Sequence, residues 1–157
     1  MTTQGDVRML IRPSLEVPAV LRRSLEAFRA GDPVTLAEAF APNASLVTQI
    51  DAKLARRLGL AALNGAPLQA QGAIEIMKFY ALEFATFDIS HFEVLDTLIV
   101  GREVAATCEW GMKVRDNGPS FYGRCHNIWT MDQTGRKILN GRTLCKIVTP
   151  DWDHTIN

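Results

Sequence analysis

The fold is decided by residues 101–148, which read GREVAATCEWGMKVRDNGPSFYGRCHNIWTMDQTGRKILNGRTLCKIV. Apolar side chains take every second position in the first part: Val104, Ala106, Cys108, Trp110, Met112 and Val114. This period of two predicts a strand with one buried face and one wet face. The stretches at 116–119 (DNGP) and 132–135 (DQTG) are tight-turn signals, so we predict two consecutive β-hairpins.

Helices are predicted in the first part of the chain. Apolar residues at helical spacing predict a helix from about Val17 to Gly31, with Pro18 in its first turn. Asp32 and Pro33 then supply an N-cap and a first-turn proline for a short second helix, and a short strand over residues 44–49 follows. Helices followed by a curved antiparallel sheet make an α+β fold, which is the class we predict.

The segment from Asp51 to Gln71 is the least expected part of the pattern. Its leucines and alanines form an apolar stripe opposite basic residues, which predicts an extra helix of about three turns inserted in the domain. A further helix is predicted over residues 73–86, with Ile74, Met77, Ala81 and Phe84 on its apolar side and Glu83 toward water.

Length and composition predict one globular domain over residues 1–157. The chain is 47% hydrophobic and 22% charged, without a shift in composition that would mark a linker. Its 17 basic and 17 acidic residues cancel, so we expect neither nucleic acid nor an anionic membrane as a partner. The first residues lack a signal-peptide pattern and no apolar run reaches bilayer length, which predicts a soluble, cytoplasmic protein.

The cysteines and histidines do not follow a metal-binding spacing. Cys108, Cys125 and Cys145 are odd in number and set in strand-like apolar stretches, so we interpret them as reduced core thiols. The sequence has no C-x-x-C and no H-x-x-x-H motif. It also lacks G-x-S-x-G and a phosphate loop, so we expect no metal and no cofactor.

Four short motifs follow one another along the chain. They are SLEAFRAGD at 24–32, FAPNA at 40–44, GAI at 72–74 and the hairpin TGRKI at 134–138. Each is weak alone, but together they resemble the NTF2-like superfamily, and within it the SnoaL-like and ketosteroid-isomerase-like proteins. The resemblance covers about residues 17–148. It implies a cone in which a curved sheet wraps around N-terminal helices, with an apolar pocket at one end, often in a homodimer.

The resemblance does not supply a mechanism, because the residues that act in the steroid-isomerase branch are replaced here. That branch uses a helix tyrosine and two aspartates. By similarity the tyrosine's place falls at Ser24 and the first aspartate's place near Thr48. The second aspartate's place falls at His126 or Asn127. Asp51 lies close enough in sequence to stand in for the missing base.

The register of the first hairpin decides which polar groups meet. A two-residue turn at Asn117-Gly118 would place Glu109 opposite His126 and Cys108 opposite Asn127. The Glu109–His126 pair is then either an acid/base histidine oriented by a carboxylate or a structural ion pair on a wet or dimer-facing surface. We favour the structural ion pair.

Candidate ligand-binding residues are those whose side chains are predicted to enclose the pocket. They are Asn127, Trp110, Trp129, Cys108, Met112, Phe121, Ser24, Thr48, Tyr80 and Phe84. Asn127 stands out because it places an amide on an apolar face. It either points into the pocket or ties neighbouring strands together, and the sequence leaves both readings open.

Two functions fit these observations. The first is a small-molecule pocket protein acting as a cofactor-free isomerase, cyclase or dehydratase, which moves protons on an apolar carbonyl compound. Its candidate catalytic residues are His126, Asp51 and Glu109. The second is a non-catalytic ligand-binding or dimerisation module that kept the cone and lost the acid and base. A homodimer across the open sheet is expected because apolar residues such as Ile128 would otherwise be exposed.

Overall fold

The computed structural model describes residues 15–57 and 66–147. Within these ranges the helices are α1 (Ala19–Ala30), α2 (Pro33–Glu38), α3 (Ala52–Arg57) and α4 (Ala73–Thr86). The strands are β1 (Phe40–Ile50), β2 (Leu68–Gln71), β3 (Phe87–Val100), β4 (Glu103–Val114), β5 (Ser120–Met131) and β6 (Ile138–Ile147). Helices come first and most strands follow, which confirms the predicted α+β class.

Helix α1 ends and helix α2 begins at the residues that the sequence indicates, whereas α2 ends at Glu38, earlier than predicted. Helix α1 starts after Pro18 and ends at Gly31, whose left-handed φ of 71° lets the chain turn while its N–H caps the last carbonyls. Asp32 then caps α2, because its Oδ1 accepts a hydrogen bond of 3.1 Å from Thr35 N.

The six strands form one curved, unclosed sheet in the order β2-β1-β6-β5-β4-β3. Strand β1 runs parallel to β6, and each of the other neighbouring pairs is antiparallel. The prediction of a purely antiparallel sheet was therefore wrong at one pair. A contact between the first and last strands joins residues about a hundred positions apart, so no local turn signal could indicate it.

Strand β1 is longer than the predicted strand over residues 44–49. It begins at Phe40, where Ile138 N donates to Ala39 O at 2.8 Å and starts the pairing with β6. The predicted insertion, Asp51 to Gln71, begins with helix α3, of which six residues lie in the described part of the chain. Its last four residues form the edge strand β2, which the sequence did not predict. Residues 58–65 of the insertion lie outside the described part of the chain.

The β4–β5 turn lies one residue earlier than predicted. Asp116 and Asn117 adopt the left-handed conformation, with φ of 63° and 65°, which both residue types tolerate. Gly118 serves a different purpose, because a Cβ at this position would overlap the side chain of Val114. Moving the turn by one residue moves the pairing by two, so Glu109 lies opposite Arg124 rather than His126.

The two-residue shift leaves every side chain of the hairpin on its predicted face. Cys108 now lies opposite Cys125, and Asn127 lies opposite Ala106. The buried face still holds Trp110 and Asn127, as predicted, because neighbouring side chains alternate with a period of two.

Helix α4 is rotated relative to the prediction. Phe84 is buried, as predicted, but Ile74 and Leu82 are 69% and 70% exposed. Glu83, predicted to face water, instead lies on the inner side together with Tyr80. The helix is apolar on almost every side, so its sequence did not define one buried face.

The core fills the concave side of the sheet against α1, α2 and α4. Leu21, Leu36 and Ile76 from the helices and Val94 and Ile138 from the sheet are almost completely buried. Toward the open end the packing becomes aromatic, with Phe28 in contact with the rings of three neighbours: Tyr80, Phe84 and Phe92. Within the two described ranges, no helix has the length and apolar character needed to cross a bilayer.

Candidate functional site

A cavity of about 400 Å³ lies between the concave face of the sheet and helices α1 and α4. This volume is in the usual range for pockets that hold small organic molecules. Most of its wall is apolar and aromatic: Leu25, Phe28, Leu36, Phe40, Ile50, Leu68, Phe79, Tyr80, Leu82, Phe87, Phe92, Trp110, Met112, Phe121 and Trp129. The polar and thiol groups are fewer: Ser24, Thr48, Glu83, Thr86, Asn127, Thr143, Cys125 and Cys145.

Most of the predicted ligand-binding residues line this cavity. They are Asn127, Trp110, Trp129, Met112, Phe121, Ser24, Thr48 and Tyr80. Cys108 and Phe84 are buried but are not part of the wall. The positions of the eight wall residues fit the predicted pocket. The binding of a ligand by any of them stays a prediction.

None of the three predicted catalytic residues lines the cavity. His126 lies on the convex face, where its Nδ1 is 3.3 Å from Thr107 Oγ1. Asp51 follows β1, and its backbone N–H donates to Cys145 O at 3.0 Å. The predicted Glu109–His126 pair is wrong, because the turn shift separates the two residues.

Glu109 belongs to an ionic cluster on the convex face. Its Oε1 is 3.4 Å from His91 Nε2 and its Oε2 is 3.6 Å from the Arg124 guanidinium. In the described part of the chain, one group of side chains could ligate a metal ion: His91, Glu93 and Glu109. Their possible ligand atoms lie within 4.8 Å of one another. The Arg124 guanidinium supplies positive charge to Glu109 in this cluster.

Glu83 is the acid–base candidate that the sequence missed. Glu83 is half-buried in the wall of a mostly apolar cavity, and desolvation raises the pKa of its carboxyl to about 7, with a smaller contribution from Cys125. No residue in the described ranges donates a hydrogen bond to this carboxyl or neutralises it. A group with a pKa near neutrality can both accept and release a proton at the pH of a cell.

Tyr80 lies one helical turn before Glu83 and also faces the cavity. Its ring packs edge-on against Phe28 and Phe79 and stacks on Phe84. Burial, and then the charge of Glu83, raise the pKa of Tyr80, so its hydroxyl stays protonated. Tyr80 therefore offers a hydrogen-bond donor beside the Glu83 carboxyl.

Asn127 joins three strands at the cavity wall. Its Nδ2 donates to Cys108 Sγ at 3.4 Å and to Cys125 Sγ at 3.3 Å, and its Oδ1 accepts from Thr143 Oγ1 at 2.7 Å. The buried amide therefore has partners on β4, β5 and β6. These contacts support its role as a tie between strands, and its role toward a ligand stays a prediction.

The three free cysteines form a row across the sheet. Cys108 lies opposite Cys125, and Cys125 lies opposite Cys145, so the register assembles thiols that are far apart in sequence. Hydrogen bonds from the thiols of Cys108 and Cys145 lower the pKa of Cys125, and Asn127 adds to this effect. Donation to Cys125, together with burial, raises the pKa of Cys108 and Cys145. Cys125 is the central thiol of the row, and both of the other thiols lie on strands that pair with its own.

The Trp110 ring lies over the backbone of β5. The opposite residue is Gly123, where a Cβ would overlap the indole ring and the carbonyl of Lys146. Trp110 Nε1 is buried and has no hydrogen-bond partner among the described residues. A buried donor without a partner lowers stability by about 1–3 kcal/mol, which is typical of groups kept for function.

The family of the chain follows from its sequence match and agrees with the cone and cavity. The SnoaL-like domain family matches residues 21–139. The chain belongs to the SnoaL-like family. The resemblance indicated by the four motifs is therefore confirmed, and so is the NTF2-like α+β cone. No curated protein matches this SnoaL-like chain.

Solved structures similar to this SnoaL-like protein share its fold at low sequence identity. A hypothetical protein with a ketosteroid isomerase-like fold from Catenulispora acidiphila, solved with trimethylamine, is 15% identical with a TM-score of 0.63, covering 82% of this chain and 85% of its own. An NTF2-like protein from Burkholderia xenovorans is 14% identical with a TM-score of 0.60, at coverages of 80% and 86%. The BvnE pinacolase from Penicillium brevicompactum is 12% identical with a TM-score of 0.58, at coverages of 88% and 89%.

For this SnoaL-like protein, the sequence predicted the residues of the cavity wall more accurately than the titratable residues that face the cavity. The wall residues of β4 and β5 follow from strict alternation, which a register shift of two does not change. Glu83 lies on a helix with apolar residues on almost every side, so its inward position had no pattern to indicate it. One signal was available: Tyr80 and Glu83 are three residues apart, so a cavity role for Tyr80 places Glu83 beside it.

Proposed function

We propose that this SnoaL-like protein moves a proton on an apolar carbonyl compound bound in its cavity, with Glu83 as the acid and base. One observation carries the proposal: the Glu83 carboxyl lies in the wall of a mostly apolar cavity, without a countercharge among the described residues, and this desolvation raises its pKa to about 7. Near neutral pH such a carboxyl is ionised in part of the molecules, where it acts as a base, and protonated in the rest, where it acts as an acid.

The cavity fits a small apolar substrate. Its volume of about 400 Å³ and its aromatic wall, with Phe28, Phe121 and Trp129, favour a compound with rings or short chains. Few polar groups face the space, so a substrate with one or two oxygen atoms can satisfy them. A charged substrate would enter without a countercharge and would be disfavoured.

The proposed step needs only Glu83, Tyr80 and the substrate. The Glu83 carboxylate removes a proton from the carbon next to the carbonyl, and the Tyr80 hydroxyl donates a hydrogen bond to the oxygen that becomes negative. Glu83 then returns the proton to the same carbon or to another carbon of the conjugated system. The sequence of steps is redox-neutral and corresponds to an isomerisation.

Deuterium exchange tests this step directly. The apolar ketone 2-tetralone is incubated with the protein in D₂O, and proton NMR follows exchange at the carbons next to its carbonyl. We expect exchange above the buffer rate, and a loss of at least about tenfold in Glu83→Gln. The matched control is Glu26→Gln, an exposed glutamate on α1. Exchange in wild type no faster than in buffer, or unchanged exchange in Glu83→Gln, would refute the role of Glu83.

A non-catalytic ligand-binding module is the second candidate. The observation that favours it is that Asn127, Thr143 and the thiols of the sheet wall already bond to one another. A purely binding protein would bind 2-tetralone, seen as a change in tryptophan fluorescence, without exchanging its protons. Binding without exchange in the wild-type protein would therefore establish this second function.

We also propose a homodimer formed through the convex face of the sheet. Leu98 and Ile128 are 63% and 40% exposed, and the strand register places both in one row with Ala105 between them. Further along the face, Glu109 and Arg124 form a charged row. An apolar row beside charged groups is typical of a surface that a partner covers.

A further inference from the structure

Cys125 has surroundings that differ from those of the other two thiols. It lines the cavity, and it lies between Cys108 on β4 and Cys145 on β6. Asn127 Nδ2 donates to its sulfur at 3.3 Å. We propose that Cys125 is a nucleophile that forms a covalent adduct with α,β-unsaturated carbonyl compounds bound in the cavity. This inference uses the same cavity as the proposed function but does not depend on turnover there.

The positions of the three cysteines select Cys125. Cys108 is 0% exposed and is not part of the cavity wall. Cys145 lines the wall but lies on the outer side of the row, where it donates to Cys125 and receives no donor from Asn127. Cys125 lies between two thiols that can donate to it, and it accepts from the Asn127 amide at 3.3 Å. A thiolate is the reactive form of cysteine, and these donors stabilise it at this position.

The amide that supports Cys125 is itself held in place. Asn127 Oδ1 accepts from Thr143 Oγ1 at 2.7 Å, which fixes the amide with its nitrogen toward the sulfur atoms of Cys108 and Cys125. The donor is therefore oriented before any ligand binds. Preorganised donors of this kind stabilise a charge without a cost of reorientation.

Glu83 supplies the acid that the addition requires. Negative charge on Cys125 raises the pKa of Glu83, so a Cys125 thiolate and a protonated Glu83 carboxyl favour each other. A nucleophile and an acid thus face the same cavity. A soft thiolate reacts preferentially at the β-carbon of a conjugated carbonyl compound, which identifies the class of electrophile.

The addition balances without a further reactant. The proton leaves the Cys125 thiol and is held by Glu83, the Sγ–C bond forms at the β-carbon, and the C=C π bond breaks. Its electron pair moves to the carbonyl oxygen as an enolate, and Glu83 protonates the α-carbon. The product is a saturated thioether ketone, and nothing is oxidised or reduced.

Adduct mapping with cyclohex-2-en-1-one tests the inference. Intact-protein mass spectrometry should show one added enone, and peptide mapping should place it on Cys125. The rate per thiol should exceed that of glutathione at the same pH by about tenfold or more. Cyclohexanone, which lacks the conjugated double bond, should give no adduct. Cys125→Ser should lose the adduct, and in the wild-type protein the peptides that carry Cys108 and Cys145 should stay unmodified.

Several outcomes would overturn the inference. An adduct on Cys108 or Cys145 would do so, as would a rate on Cys125 no higher than that of glutathione. The mapping uses wild-type protein, so it remains decisive if a serine variant fails to fold. Failure is also separable from failure of the proposed function, because 2-tetralone is not a conjugated enone and its deuterium exchange needs no reaction at sulfur.

Discussion

Replacing Glu83 with glutamine should stabilise the protein at high pH and leave it nearly unchanged at low pH. The carboxyl has an ordinary pKa of 4.5 and a folded-state pKa of about 7. Below pH 4.5 it is protonated in both states and has no effect on folding. Between these values the folded state binds the proton more strongly, so wild-type stability falls as the pH rises. Above pH 7 the buried charge destabilises the folded protein fully.

The magnitude follows from the size of the shift. At about 1.4 kcal/mol per pH unit, the shift between 4.5 and 7 sets an upper limit of about 3 kcal/mol, because Glu83 is only half-buried and water screens part of its charge. In a domain of this size, such a difference moves the melting temperature by about 6–12 °C. Glutamine keeps the shape and cannot ionise, so the variant should gain this amount at pH 8 and little at pH 4.5.

Thermal melts of wild type, Glu83→Gln and the exposed control Glu26→Gln at a series of pH values from 4.5 to 8 measure this effect. The difference between wild type and Glu83→Gln should grow with pH, while Glu26→Gln should follow wild type throughout. An offset for Glu83→Gln that is the same at every pH would refute the reasoning, and so would a lower melting temperature at pH 8. Either result would mean that the Glu83 carboxyl is not held in a desolvated site.

Three other predictions concern the sheet. Asn127→Leu should lower the free energy of unfolding in urea by about 1–3 kcal/mol, because the Thr143 hydroxyl loses its acceptor. Adding Thr143→Val should recover part of this loss. Unchanged stability of Asn127→Leu would instead favour a ligand role for the amide. Gly123→Ala should lower the free energy of unfolding by about 1–3 kcal/mol and shift the tryptophan fluorescence, because the added Cβ overlaps the Trp110 ring. A variant with the stability and the fluorescence of wild type would contradict this packing. Ile128→Asp should give monomers in sedimentation velocity where wild type gives dimers, and wild type that sediments as a monomer at micromolar concentration would exclude the proposed dimer.

The fold was largely predictable because its signals are local. Gly31 and Asp32 mark helix ends by backbone geometry and capping, and both act as the sequence indicates. Alternation in β4 and β5 assigned Trp110 and Asn127 to the buried face without knowledge of the register. The parallel pairing of β1 with β6 was not predictable in the same way, since it depends on where distant segments meet.

The candidate site was harder to predict because polar neighbours depend on exact pairing. The sequence predicted the two-residue turn at Asn117 and Gly118, whereas the structure forms it with Asp116 and Asn117. That choice removed the Glu109–His126 pair and created the Cys108–Cys125 pair. Glu83 depends on the rotation of α4, which is set by packing of the whole helix against the sheet and not by its own apolar pattern.

An unclosed sheet has two edges that another molecule could extend, and this chain limits both. At one end β2 is only four residues long, which offers few backbone groups for pairing. At the other end β3 is fourteen residues long, but its pairing with β4 is irregular between Ile89 and His91 and again between Val94 and Asp96. Irregularities of this kind bend an edge and interrupt its repeat of hydrogen bonds. Growth of the sheet by strand addition, the route to fibrous aggregates, is therefore disfavoured, and the proposed dimer through the convex face does not depend on either edge.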